Sequence, residues 1–382
     1  MINNIKFFIA SFFSLFLFGE AYFYSVLSLD ILNYIIIFFL LFSLFFILKE
    51  VNYTSKSNFQ ITAIALFLLI ISSLFWSSFY NVSSYISVII AYFAHTLYRE
   101  QFRKIFIFLL LLNLFLSFYE YFVRQYIFDS YLINELTGDS LILDEIFSGG
   151  LNKVFRSKGM FYGPLSLGSF AIAICMLFPK NIYVVMSAIL ISFFANHRLA
   201  LIATLIFLIF LFFKRARIRN VFPAILIFIS FIFFLNFLST DLMVISFSRI
   251  LNVFDLSSNE NIARIMFWNS AIDVLNSYDI NSIIFGDNGR YKFIFGNNPE
   301  SGWLSIILDN GLIGLIFYSL ILFNILIKSF NQRQIYFVLN SILIISIMAI
   351  FTFHLSGVGS FMFWFIVLEM NSKINPNKLK TL

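Results

Sequence analysis

Apolar runs, each about as long as a bilayer is thick, recur from one end of the chain to the other. They leave few folds open. A helix needs roughly 20 apolar residues to cross the hydrocarbon core. Such runs fall near 5–27, 30–48, 59–77, 82–98, 105–123, 160–178, 181–196, 198–213, 220–238, 302–327, 335–353 and 357–370. The fold expected is therefore all-α: a polytopic transmembrane helix bundle of about 12 spans. It forms a single integral membrane domain over 1–382. Hydrophobic residues make up 61% of the sequence and charged residues only 12%, which excludes a soluble core protein.

Charge sets the orientation. With the N-terminus inside, Lys6, Lys49, Lys56, Arg99, Arg103, Lys104, Lys180, Lys214, Arg215, Arg217, Arg219, Lys328, Arg333, Lys373, Lys378 and Lys380 share one side, most of the chain's 25 Lys and Arg. That bias is the positive-inside pattern and places both ends in the cytoplasm. Two long loops, 124–157 and 239–301, then lie outside and are expected to carry short helices. The net charge of +6 reflects these dispersed stop signals, with no basic patch for nucleic acid. Cys175 is the only cysteine, so no intrachain disulfide is possible. His95, His197 and His354 stand alone, and the acids of the first outer loop match no calcium-loop spacing, so no metal site is expected. Glu20 and Glu120 are acids inside spans, read as snorkelling or hydrogen-bonded groups near the outer boundary.

Against this apolar background, residues 261–314 form a polar platform. It holds Arg264, Arg290, Lys292, several glycines and the acids Asp273, Asp279, Asp287, Glu300 and Asp309. Ser257 and Glu260 have capping-box spacing ahead of a helix around Trp268. Glycine-rich backbone follows, and a span begins near Trp303. A platform that ends on a membrane helix suits chemistry at the bilayer surface. Arg264 and Glu300 are the residues hardest to dismiss as packing. Asp309 is either a buried polar contact or part of a cavity wall. Two further spots place cations where helices enter the membrane. In Arg156-Ser157-Lys158-Gly159 the charges flank flexible backbone, and Asn196-His197-Arg198 interrupts an apolar stretch at an outer turn. Arginine beside a helix N-terminus suits phosphate oxygens, although an interfacial anchor or a cap on neighbouring carbonyls would use the same residues.

In order, the chain carries Arg156-x-x-Gly159-x-Phe161-x-x-Pro164, the Arg198 turn, Arg264-x-x-x-Trp268-x-x-Ala271, Phe285-Gly286-x-Asn288-Gly289, Glu300-Ser301-Gly302-Trp303 and Gly311-Leu312-Ile313-Gly314. This set resembles the O-antigen polymerase and O-antigen ligase superfamily of bacterial envelope enzymes, over roughly 150–320. The resemblance implies an inverting, metal-independent glycosyltransferase without cofactor, in the bacterial inner membrane, its site facing the periplasm. The substrate would be an undecaprenyl-diphosphate-linked oligosaccharide, and the partners membrane lipid and a chain-length-regulating membrane protein. It further implies Arg156, Arg198, Arg264 and Glu300 as catalytic groups, with the three arginines converging on the diphosphate. Lys158, Trp268, Asn288, Arg290, Trp303 and Asp309 would bind substrate. Ligases of this superfamily commonly carry histidine at the position of Glu300. Its absence here favours a polymerase, which moves a growing glycan onto the next lipid-linked repeat unit. Glu300 would serve as base if burial raised its pKa. The alternatives are a ligase that transfers the chain to lipid A core and, from another class, a lipid-linked oligosaccharide flippase.

Overall fold

The computed structural model describes Ala10 and residues 56–74, 82–128, 131–133, 140–142, 155–161, 163–214, 259–296, 298–354 and 357–374. Within these the chain is helical, apart from two three-residue strands. The expected spans near 5–27 (Ala10 aside), 30–48 and 220–238, with Glu20, lie outside the described residues.

Eleven helices are described: α1 (Lys56–Leu74), α2 (Val82–Val123), α3 (Pro164–Leu177), α4 (Ile182–Phe194), α5 (Arg198–Lys214), α6 (Asn259–Asn276), α7 (Ile280–Phe285), α8 (Arg290–Phe295), α9 (Gly302–Asn331), α10 (Ile335–Ile350) and α11 (Gly357–Ile374). The described part of 239–301 carries short helices as expected. In 124–157 the described residues instead include an antiparallel pair, β1 (Tyr131–Ile133) with β2 (Ser140–Ile142), Leu132 opposite Leu141. Helix α6 is described from Asn259, and the expected cap at Ser257 lies outside the described residues.

Two helices, Ser87–Val123 and Gly302–Asn331, are long and apolar enough to cross a membrane. Both are broken once. The expected loop between spans 82–98 and 105–123 is absent; the helix is interrupted only at Tyr98 (φ −129°, ψ 19°). In α9 the break is Gly311 (φ 63°, ψ −164°), which leaves a run of about 20 residues, or roughly 30 Å, beyond it. Helices α3, α4, α5 and α10, of 14, 13, 17 and 16 residues, are shorter than a full span.

The faces of α9 explain its setting. Gly314, Tyr318, Leu322, Ile325 and Ser329 point inward, while Leu312, Ile316, Leu320, Phe323, Ile327 and Phe330 are exposed along the opposite side. Both stripes follow helical spacing and both are mostly apolar. A helix greasy on its outward face suits lipid better than water. Phe108, Leu111, Phe115, Tyr119 and Val123 make a similar exposed stripe on α2.

The chain divides into two compact units. Residues 100–255 with 1–42 form one, in which α3, α4 and α5 pack on one another. Residues 43–99 with 256–382 form the other, built on α9, which packs against α1, α6, α7, α8, α10 and α11.

Candidate functional site

In the first unit the Arg156–Phe161 segment is a built loop. Asn113, Ser117 and Glu120 lie on one face of α2 and receive it. The Glu120 carboxylate accepts from the backbone N–H of Lys158 and of Gly159, each at 2.9 Å, and from Ile127 N–H at 3.4 Å. Asn113 Oδ1 accepts from Met160 N–H at 3.0 Å, and Ser157 Oγ donates to the Ser117 carbonyl. Gly159 sits at φ +59°, where an added Cβ would collide with Asn113 Oδ1. Glu120 is thus neither snorkelling nor exposed: it is fully buried and organises the loop.

That arrangement redefines the two cations. Lys158 is fully buried with its ammonium 4.5 Å from the Tyr126 ring centre, a cation–π seat inside the protein. Arg156 is half-buried, and its Nε donates to the Ala195 carbonyl at 3.4 Å while Ser157 N–H donates to the Phe194 carbonyl. Arg156 thus reaches a carbonyl at the end of α4. The contact seats Arg156 on the α4–α5 corner that carries Arg198, the first residue of α5. His197 caps α5, its Nδ1 accepting from Ala200 N–H at 3.1 Å, and its ring lies so close to Gly168 that an added Cβ there would collide with it. Asn196, at φ +47°, is buried, and neither polar atom of its amide has a partner among the described residues.

In the second unit, Arg264 on α6 meets Glu300, just ahead of α9, with Nε to Oε2 at 3.1 Å. Glu300 holds φ +48°, an unusual conformation for a non-glycine residue. Ser301 then caps the helix, its hydroxyl accepting from Leu304 N–H. Strain of this kind at the mouth of a helix is a recognised mark of functional sites. The expectation that Glu300 is activated by burial does not hold, because its side chain remains 44% exposed. What the pair offers is a carboxylate oriented by a guanidinium and open to a hydroxyl-bearing ligand.

The Phe285–Gly289 turn is anchored to α9 just before its break. With Gly311 out of helical geometry, the Leu308 carbonyl takes Asp287 N–H at 2.8 Å and the Tyr278 hydroxyl at 3.2 Å. Asp309 Oδ1 accepts from Gly289 N–H at 3.0 Å, so Asp309 is a buried polar contact. Asn288 is buried in the same turn. Arg290 bonds Asp287 Oδ2 at 3.2 Å and stacks over Tyr278. Burial pushes the Asp287 carboxyl above the usual range, with Arg290 working against it. Trp303 spends its indole N–H on the Ile345 carbonyl, a structural link to α10, and not on an open cleft. Trp268 is half-buried, its Nε1 without a partner among the described residues. Tyr291 ties α8 to α6 through the Phe267 carbonyl.

A second buried cluster escaped the sequence reading. Glu369 on α11 is bidentate to Arg99 at 2.5 and 2.8 Å, and also meets Lys373 at 2.6 Å and His95 at 3.1 Å. Arg99 and His95 lie some 270 positions from Glu369, which hides their part of the cluster from any local pattern. Among the described residues no group of His, Cys, Asp and Glu could hold a metal ion. Comparisons with family models, with curated proteins and with solved structures find no match.

Proposed function

We propose that the chain is a surface-polysaccharide polymerase of the bacterial inner membrane. In this reading it transfers a growing glycan from undecaprenyl diphosphate onto the next lipid-linked repeat unit on the periplasmic side. The observation that carries the reading is the Arg264–Glu300 pair, exposed, strained and set at the N-terminus of a helix long enough to span. A fixed guanidinium there suits a departing diphosphate, because it offers bidentate bonds and keeps its charge. The carboxylate beside it suits a sugar hydroxyl. Arg156 and Arg198, on one corner of the first unit, supply the same chemistry for phosphate oxygens. A flippase would present polar side chains along a path through its helices. In α2, Asn113, Ser117 and Glu120 instead receive the 157–160 backbone, which favours the enzyme.

Deletion in a lipopolysaccharide-bearing cell tests the proposal. Loss of a polymerase leaves lipid A core with one repeat unit and no ladder on a gel. A bare core would assign the chain as a ligase, and an unchanged ladder would refute both. Reporter fusions supply the topology: Asp139 and Asp279 should read as periplasmic and Arg217 as cytoplasmic. A cytoplasmic signal at Asp279 would turn the proposed site to the wrong compartment.

A further inference from the structure

Helix α8 ends in an apolar tip. Phe293, Ile294 and Phe295 are 52, 51 and 42% exposed, although the Phe295 ring also packs on Tyr291, with centroids 4.7 Å apart. Tyr291, one turn earlier, is buried and holds the helix down. Gly296 follows at φ +72° with nothing within 4 Å of where its Cβ would stand, so the tip is open on that side too. Three exposed hydrophobic residues in a row call for an apolar neighbour.

The level of the tip in the fold indicates which neighbour. Beyond Gly311, α9 runs about 20 residues, roughly the 30 Å of a hydrocarbon core, with an exposed apolar stripe that starts at Leu312. Taken as the span, that run puts one edge of the core at Gly311. The turn before α8 is fixed to the same level, since Gly286 abuts Gly311 and Gly289 N–H is bonded to Asp309. Helix α8 has 6 residues and extends only about 9 Å from that point. The headgroup layer is of comparable depth, about 5–8 Å on each side of the core. Whichever way α8 points, its tip stays within or close to the lipid interface.

We propose that Phe293-Ile294-Phe295 inserts into the outer-leaflet interface of the bilayer and anchors the α6–α8 platform to lipid. The inference rests on the membrane placement of α9 and not on glycosyl transfer. An amphipathic element held at this depth binds through its apolar side chains. The anchor continues the lipid-facing stripe of α9 and would hold Arg264 and Glu300 at the level of a lipid diphosphate.

The test is a polarity-sensitive fluorophore on Phe293→Cys in the full chain, reconstituted in phospholipid nanodiscs. Cys175 is buried and is the only native cysteine, so the label goes to the introduced site. Leu320→Cys, on the exposed face of α9 about 14 Å beyond Gly311, is the reference. The proposal expects blue-shifted emission at position 293, quenched by shallow doxyl lipids more than by deep ones and little by aqueous iodide. The reference should be quenched best by deep doxyl lipids. Water-like emission and strong iodide quenching at 293 alone would overturn the anchor while leaving the span. The same result at both positions would remove the span and the anchor together. Blue-shifted emission protected from every quencher would mean that protein covers the tip, such as a second copy of this chain, and would also overturn the proposal.

Discussion

Gly286 and Gly311 meet backbone to backbone. An added Cβ at Gly286 would overlap Asn310 N and the Asp309 carbonyl; one at Gly311 would overlap the Ile284 carbonyl and Gly286 N. Both residues are in a conformation open essentially to glycine, with φ 82°, ψ 176° and φ 63°, ψ −164°. The contact explains why α9 is broken where it is. The break releases the Leu308 carbonyl to Asp287 N–H and to the Tyr278 hydroxyl, so the freed helix acceptor finds its partners in the docked turn.

Gly286→Ala and Gly311→Ala should each destabilise the protein by more than the roughly 1–3 kcal/mol of backbone strain alone, because rigid backbone blocks the new methyl. Gly296→Ala is the comparison: its φ is also positive, but its surroundings are open. It should cost only about 1 kcal/mol. Thermal unfolding in detergent checks the ranking. Equal losses at all three positions would mean that strain, and not the close approach, is what these glycines relieve.

Glu120→Ala should unfasten the Arg156–Phe161 loop. It leaves the N–H groups of Lys158 and Gly159 without their acceptor, at about 1–3 kcal/mol for each buried donor. Glu120→Gln keeps an acceptor and should lose much less. Protease sensitivity of the 155–161 segment is the readout. Equal behaviour of Ala and Gln would show that the carboxylate does not hold the loop.

The described helices could be read from the sequence because apolar runs are a local signal. The Asn113, Ser117 and Glu120 receptor was also within reach, since polar residues spaced by four and three share one face of a helix. Other features were not. A glycine in the Gly311-Leu-Ile-Gly314 run is equally compatible with close helix packing and with a break, and only contact with Gly286 decides. Lys158 read as a phosphate ligand because nothing local announces the Tyr126 ring beneath its ammonium. Trp303 read as a substrate group because its acceptor, the Ile345 carbonyl, is 42 residues away.

Glu369 is the counter-charge of Arg99 and Lys373 and the hydrogen-bond partner of His95. Glu369→Ala takes the carboxylate away from both cations. The loss should approach, without reaching, the roughly 3–5 kcal/mol seen when a buried pair is broken, because Arg99 and Lys373 are partly exposed. Arg99→Ala alone should cost less, since Lys373 remains to compensate Glu369 and His95 to hydrogen-bond it. The order of unfolding midpoints decides it. A more severe effect from Arg99→Ala would place the cluster's weight on the arginine.

Arg264 and Glu300 separate function from stability. The pair is 36 and 44% exposed, and exposed ion pairs contribute at most about 1 kcal/mol. Arg264→Ala should therefore leave protein level and melting almost unchanged. If the guanidinium takes up leaving-group charge, the polymer should still fall by roughly 10²–10³, the loss that follows removal of one oxyanion donor. Lysine should restore only part of it, because a point charge replaces a planar fork. Glu300→Gln keeps a hydrogen-bonding group and should slow polymerisation less than Arg264→Ala does. The deciding variant is the exchange of Arg264→Glu with Glu300→Arg, which rebuilds the ion pair in reverse. A diphosphate site would stay inactive, since the cation has moved to the far side of the pair. A pair that merely ties α6 to the start of α9 would work again. A full ladder from the exchanged pair, or from Arg264→Ala at native expression, would remove Arg264 from the reaction.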